Sequence, residues 1–160
     1  MSEEVSHSFG PFIFPEAKIL ILGTFPSPKS REQGFYYGHP QNRFWKAVSA
    51  VLQECEPLTL TDKESMLVRN KIALWDVIER CEITGASDSS IKNPVPTDIA
   101  EAINGTDIKK IFTTGKTATK LLKNLQGIEG EYLPSPSPAN CACGLEELIT
   151  CYKVILEYIK

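Results

Sequence analysis

Tyr36-Tyr37-Gly38-His39-Pro40-Gln41-Asn42-Arg43-Phe44-Trp45 gathers phenols, an imidazole, a carboxamide and a guanidinium into one short segment. These groups include no strong base; they can aim a water, donate hydrogen bonds and stack on a flat ring. The same residue types have a plainer use. His39 and Asn42 at a helix start can simply cap free backbone N–H groups, and on residue type alone the two roles weigh about equally.

The elements around this segment give it a place to act. Upstream, Lys18-Ile19-Leu20-Ile21-Leu22 is an unbroken apolar run closed by Gly23, the pattern of a strand buried on both faces of a parallel sheet. Downstream, Phe44, Val48, Val51 and Leu52 recur at helical spacing, so a helix packs back on that sheet. Between them, from Gly23-Thr24-Phe25-Pro26-Ser27-Pro28 onward, runs a loop of about twenty residues, where two to six are usual. Ligands of open α/β sheets bind just beyond the carboxyl ends of the strands. This loop is therefore the leading site candidate.

The helix is expected to begin near His39-Pro40, with proline at its first position, and to end by Pro57. Thr61-x-x-Glu64 reads as a capping box opening a short helix to about Asn70. Lys71 to Ile78 reads as a second buried strand, and the polar stretch Glu82 to Asn93 as a second long loop. Pro94 to Thr97 leads into a helix over Asp98 to Asn104. A third strand covers Lys109 to Thr113, a helix carries Ala118, Leu121, Leu122 and Leu125, and Glu131-Tyr132-Leu133 is a short fourth strand. The last helix bears the stripe Leu145, Leu148, Ile149, Tyr152, Ile155, Leu156 and Ile159. Strands alternating with helices, without repeats or a linker, imply one α/β/α layered domain over residues 1–160 with a mainly parallel sheet. Loops 23–43, 79–94 and 134–143 should then meet at one edge.

Composition narrows the function. The 160 residues are 42% apolar, enough for a real core. No window approaches the roughly 18 apolar residues of a membrane span. The start Met1-Ser2-Glu3-Glu4 is unlike a signal peptide, so a cytoplasmic location is expected. Cys55, Cys81, Cys141, Cys143 and Cys151 form no Cys-x-x-Cys pair and read as reduced thiols. With His7 and His39 the only histidines, metal-dependent hydrolysis is not expected. The formal net charge of −3 argues against a broad nucleic-acid surface. A local patch survives in Lys29, Arg31, Arg43 and Lys46, opposed there only by Glu32.

Gly115-Lys116-Thr117 after a strand invites a phosphate-loop reading, but Lys110 stands where that motif needs its first glycine. A helix start with Lys116 remains, able to hold one backbone phosphate or to be no more than a turn. Pro134-Ser135-Pro136-Ser137-Pro138 is a stiff small-residue loop that could press on a DNA backbone at little entropic cost. No Ser/His/Asp triad and no acidic pair at helical spacing stands beside the first loop.

Taken together, the Gly23-Thr24-Phe25-Pro26 turn, Phe35 to Trp45, Leu74-Trp75-Asp76-Val77-Ile78, Ser87-Asp88-Ser89-Ser90-Ile91 and Leu133-Pro134-Ser135-Pro136-Ser137-Pro138-Ala139-Asn140 carry a resemblance. They resemble the uracil-DNA glycosylase superfamily over nearly the whole chain from about Phe12, and within it the hypoxanthine-DNA glycosylase branch, the sixth family. The resemblance implies a three-layer α/β/α sandwich around a four-stranded, mainly parallel sheet, and base excision without metal or organic cofactor. Mismatch-type relatives hold a catalytic Asn where this chain has Phe25; others hold Asp or Glu there. In the hypoxanthine branch the catalytic Asn falls in the segment matching His39-Pro40-Gln41-Asn42. Many relatives also carry His at the position of Leu133, unlike this branch. No cysteine precedes Cys55, which excludes the iron–sulfur families.

The resemblance therefore implies Asn42 and His39 as catalytic residues, with Gly23, Thr24, Phe25, Tyr37 and Gly38 in a base pocket. It implies DNA contacts from Ser27, Arg43, Lys116, Ser135, Pro136, Ser137 and Asn140. The expected substrate is double-stranded DNA carrying a deaminated base, above all hypoxanthine, acted on by a monomer. Two rivals remain: a uracil- or mismatch-specific glycosylase, and a non-catalytic nucleic-acid-binding α/β module.

Overall fold

The computed structural model describes residues 3–85 and 87–160. Met1 and Ser2 of the acidic start, and Ala86 in the second loop, lie outside the described residues. In chain order the elements are β1 (Glu3–Ser6), β2 (Ile19–Gly23), α1 (Pro28–Gln33), α2 (Phe44–Leu52), α3 (Leu60–Arg69), β3 (Ile72–Asp76) and β4 (Ile78–Ile83). There follow β5 (Lys92–Pro96), α4 (Ile99–Ile103), β6 (Lys110–Thr114), α5 (Lys116–Gln126), β7 (Glu131–Leu133) and α6 (Leu145–Tyr152).

The central sheet has four parallel strands in the order β3-β2-β6-β7. Every residue of β2 is buried, and the reason lies in the period of two along a strand. Ile19 and Ile21 face a core shared with Phe44, Val48, Met66, Leu67, Leu148 and Tyr152, from α2, α3 and α6. Leu20 and Leu22 face the other core, with Ala73, Ile99, Ala118 and Leu122 from β3, α4 and α5. Both faces need apolar groups, which is why the run is continuous. Each such Leu or Ile side chain contributes about 1.5–3 kcal/mol by leaving water.

Three layers around a parallel four-stranded sheet match the expected class. The second outer layer holds one thing the sequence does not announce. The strands β1, β4 and β5 form a separate antiparallel sheet in the order β1-β4-β5. The stretch read as a long polar loop gives only its ends to this sheet, Glu82 and Ile83 to β4 and Lys92 and Asn93 to β5, with a 3₁₀ turn at Asp88–Ser90 between them. Pro94 and Pro96, read as a lead into a helix, lie in β5 at the edge of that sheet, the place where a strand tolerates proline.

Two helix starts also differ from expectation. The segment His39–Gln41 is a turn, and α2 begins only at Phe44. The cap of α3 is Thr59, whose hydroxyl accepts from Asp62 N at 3.1 Å, two residues before the expected Thr61. The final stripe is helical to Tyr152 and continues as a 3₁₀ turn over Lys153–Glu157. A short helix, α1, capped by Ser27, interrupts the long first loop.

Topology places the site. Strand β2 is followed by helices on one face, and β6 by α5 on the other, so the chain leaves these neighbouring strands in opposite directions. A crevice opens between them at the carboxyl ends, the topological switch point of an open sheet.

Candidate active site

Parallel register sets Gly23 opposite Asp76, with Thr114 at the end of β6 on the other side. Above this row lies a cavity of about 650 Å³, within the range of small-molecule sites. Its walls come from the first loop (Thr24, Phe25, Ser27, Tyr37, His39, Asn42), from Ile83, Ser87 and Asp88, and from Ser135 to Asn140. The loops expected to meet do meet.

Asn42 faces this space, and its carboxamide is not loose. Its Oδ1 accepts from Phe44 N at 2.9 Å, capping the first turn of α2. Capping and lining the cavity, weighed above as alternatives, coexist in one side chain. His39 also lines the cavity, and its Nδ1 accepts from Gln41 N at 3.0 Å. A backbone N–H can only donate, so Nδ1 carries the lone pair and the ring donates from Nε2.

Tyr37 sits at a positive φ of 54°, a costly backbone state for a bulky residue. The ring is held there by stacking on Phe44 at 3.9 Å and by a 3.3 Å hydrogen bond between its hydroxyl and Thr114 Oγ1. Burial pushes the Tyr37 phenol well above its usual pKa; the Asp76 carboxylate adds to this and the Thr114 hydrogen bond opposes it. Tyr36 is raised chiefly by burial and then by Asp76, and its hydroxyl donates to Gly10 O at 2.9 Å. Both phenols therefore remain donors. Asp88 stands in the wall; desolvation of its carboxyl raises its pKa, with Thr24 pulling it back and Asp76 adding to the rise.

The proline-serine loop is held by its own hydroxyls. Ser137 N donates to Ser135 Oγ at 3.2 Å, Ala139 N to Ser137 Oγ at 3.1 Å, and Asn140 Nδ2 to Ser135 O at 3.0 Å. Each serine oxygen accepts here, so each O–H is still able to donate outward. Tyr152 O–H donates to Pro134 O at 2.6 Å from below.

Three expected site residues stand elsewhere. Arg43, expected on DNA, turns inward instead: its Nε and two terminal nitrogens donate to the carbonyls of Pro136, Ser137, Asn140 and Cys143. Its fork fits a curled loop of carbonyls, which makes it the tie between the first and last loops. Gly38 does not line the cavity; its N–H donates to Ser30 Oγ at 2.9 Å, and a Cβ there would lie 2.6 Å from Gln33 Oε1. Lys116 is exposed on the outer side of α5 with Lys120, Lys123 and Tyr132, outside the cavity. Ser27 lines the cavity, but its hydroxyl oxygen caps α1 through Ser30 N at 3.1 Å.

Sequence reasoning missed a pair beneath the floor. His7, after β1, meets Asp76 Oδ2 through Nε2 at 2.8 Å across 69 positions of chain. A carboxylate ending the buried run Leu74-Trp75-Asp76 was a readable signal; nothing in the sequence points to His7. Among the described residues, no three His, Cys, Asp or Glu side chains stand close enough to hold a metal ion, and the five cysteines are free thiols.

A three-layer α/β/α fold with its cavity at the switch point of a four-stranded parallel sheet has a solved counterpart. A Methanosarcina acetivorans protein, solved in solution by NMR as a candidate uracil DNA glycosylase, superposes with a TM-score of 0.76 at 28% identity, covering 94% of this chain and 98% of that one. Residues 11–158 match the model of the uracil DNA glycosylase superfamily, and the chain belongs to that superfamily. A hypoxanthine DNA glycosylase of Methanosarcina barkeri is 31% identical over 143 residues, 82% of this chain and 86% of the relative. One of Methanosarcina acetivorans is 31% identical over 140 residues, 85% of this chain and 89% of the relative.

Proposed function

We propose that this protein is a monofunctional DNA glycosylase that hydrolyses the N-glycosidic bond of deoxyinosine, releasing hypoxanthine and leaving an abasic site. The observation that carries this reading is the cavity that opens beside Asn42, His39 and Phe25 and is roofed by the serine-proline loop. Membership of the superfamily and likeness to two hypoxanthine DNA glycosylases support it.

A base inside the duplex is out of reach, so the nucleotide must be turned out into the cavity, and a mispaired deaminated base opens at lower cost. Phe25 and Tyr37 offer ring faces to the extruded purine; base–aromatic stacking contributes about 1–3 kcal/mol. The free O–H groups of Ser135 and Ser137 suit phosphate oxygens, with Pro136 and Asn140 fixing the loop that presents them.

Cleavage leaves an oxocarbenium-like sugar and an electron-rich base. The bond from C1′ to the purine nitrogen breaks with its electrons going to the base; a water oxygen bonds C1′ and releases one proton, and the departed base anion takes up a proton to leave as neutral hypoxanthine. Asn42 is the catalytic residue: with one lone pair of Oδ1 fixed on Phe44 N, the other can receive and aim the water, while Nδ2 donates. Such a reaction rests on positioning and electrostatics. The positive end of the α2 dipole, one turn away, favours the departing anion. His39 Nε2 can donate to the base as it leaves.

The protein works as one domain and one monomer on double-stranded DNA in the cytoplasm; no described helix is long and apolar enough to cross a membrane. The test is release of free base from duplexes carrying inosine, uracil or xanthine. Hypoxanthine should be released fastest, leaving alkali-sensitive sites. Binding without release from any of the three would make this a non-catalytic module.

A further inference from the structure

Hydrolysis leaves a need that Asn42 cannot meet: the departing purine must gain a proton, and a carboxamide has none to give up. Four side chains that line the cavity can titrate, Tyr36, Tyr37, His39 and Asp88. Burial pushes both phenols above their ordinary range, so they hold their protons. The His39 ring accepts from Gln41 N through Nδ1 and is therefore neutral. A neutral imidazole donates a hydrogen bond but does not surrender its N–H proton near neutral pH. Asp88 remains, the only carboxyl among the residues lining the space.

The turn around Asp88 is built to present that group. Asp88 opens the 3₁₀ turn between β4 and β5. Ser90 Oγ accepts from Thr84 N at 2.9 Å and donates to Ser87 O at 2.7 Å, while the Ser87 and Ser89 hydroxyls meet at 2.8 Å. These hydroxyls are engaged within the turn, and the carboxyl is what it shows to the cavity. Desolvation, the largest influence on that carboxyl, raises its pKa. The Thr24 hydroxyl opposes the rise by hydrogen-bonding the charged form, and Asp76 of β3, of the same sign, adds to it. Arg31 of α1 lies over the Phe25 ring and acts, as Asp88 does, on the Cys81 thiol of β4. Among the described residues no cation pairs with Asp88.

We propose that Asp88 is the general acid of the reaction, a second catalytic residue that passes its proton to N7 of the flipped hypoxanthine as the glycosidic bond breaks. N7 is the most basic ring nitrogen of the nucleoside, and a proton there draws the bonding electrons into the purine. The O–H bond of Asp88 breaks, N7–H forms, and the electron pair of the C1′–N9 bond goes to the ring, so the base leaves neutral. The water that bonds C1′ gives up one proton, which restores the Asp88 acid, and no other reactant is needed. Uracil has no N7, so this acid favours purine lesions over uracil. The inference rests on the glycosylase reading above.

The test measures single-turnover rates across pH on duplexes carrying deoxyinosine or 7-deaza-deoxyinosine, in which C–H replaces N7. On deoxyinosine the wild-type rate should fall about tenfold per pH unit once Asp88 has lost its proton. D88N keeps the shape without an acidic proton; it should lose about a hundredfold or more on deoxyinosine and flatten that decline. Wild type should be slow on the deaza duplex, and D88N no slower. Equal fractional losses on both substrates, or a D88N profile that declines as wild type does, would overturn the inference while hypoxanthine release by wild type stood. Where the deaza duplex reacts too slowly to measure, the pH profiles alone decide. Wild type inactive on deoxyinosine at every pH would overturn both readings. If D88N does not fold, the wild type decides: a rate that holds as pH rises, or equal rates on the two substrates, sinks the proposal.

Discussion

A single carboxamide at Asn42 serves a helix and a cavity at once, and substitutions can separate the two. Asn42→Ala removes the acceptor for Phe44 N and should cost about 0.5–2 kcal/mol of stability, as well as abolishing hypoxanthine release. Asn42→Ser keeps a capping oxygen and should melt close to wild type, yet it lacks the second polar atom that donates. If both variants lose release by at least about a hundredfold, in the range of a lost positioning group, while only the alanine form is destabilised, Asn42 acts in the reaction. A serine variant with full activity would reduce Asn42 to a cap. Phe25 shows the complementary economy: where other families of the fold place a polar catalytic group, this chain has a ring that packs edge-on against His7 at 6.1 Å.

At the level of elements, the argument turns on Arg43. Its side chain and backbone N–H bind carbonyls of the last loop, Pro136 O among them at 3.0 Å from the backbone, so the loop that roofs the cavity hangs from the start of α2. Arg43→Met should therefore weaken binding of an inosine duplex without changing its salt dependence. An arginine on a phosphate would instead lower the salt slope by about one when removed; affinity measured from low to high salt separates the cases. Tyr152→Phe works on the same loop from below. Losing its hydrogen bond to Pro134 O should cost about 1 kcal/mol and lower the melting temperature by roughly 2–4 °C, with a modest drop in kcat/KM. The central strands were legible because burial on both faces demands uninterrupted apolar runs. The antiparallel sheet was not: β4 mixes Glu79, Arg80 and Glu82 with its apolar residues, two register shifts break its alternation, and β5 carries two prolines. Arg43 misled for a physical reason too. A guanidinium reads as a surface charge, and only the fold reveals a ring of carbonyls waiting for it.

At the scale of the molecule, the cavity is a common space for the segment around residues 23–42, for Ile83, Ser87 and Asp88, and for residues 135–140. His7 and Asp76, 69 positions apart, meet beneath its floor, which is why local patterns could locate the loops but not this contact. A ligand filling the space bridges all of these segments, and the unfolded chain offers no equivalent. Free hypoxanthine should therefore stabilise the protein by mass action, about 2.7 kcal/mol at a hundredfold excess over its Kd. For a chain of this size that is a rise of roughly 5–10 °C in melting temperature. Gly23→Ala narrows the floor, since its methyl would sit 2.7 Å from Asp76 Oδ1, closer than real Cβ contacts allow. The variant should fold, because that crowding is local, but show little or no hypoxanthine-dependent shift. Thermal melts of both forms across a hypoxanthine titration make the comparison. An unchanged shift in Gly23→Ala would place the base away from the strand ends, and the reading of the crevice as a base pocket would fall with it.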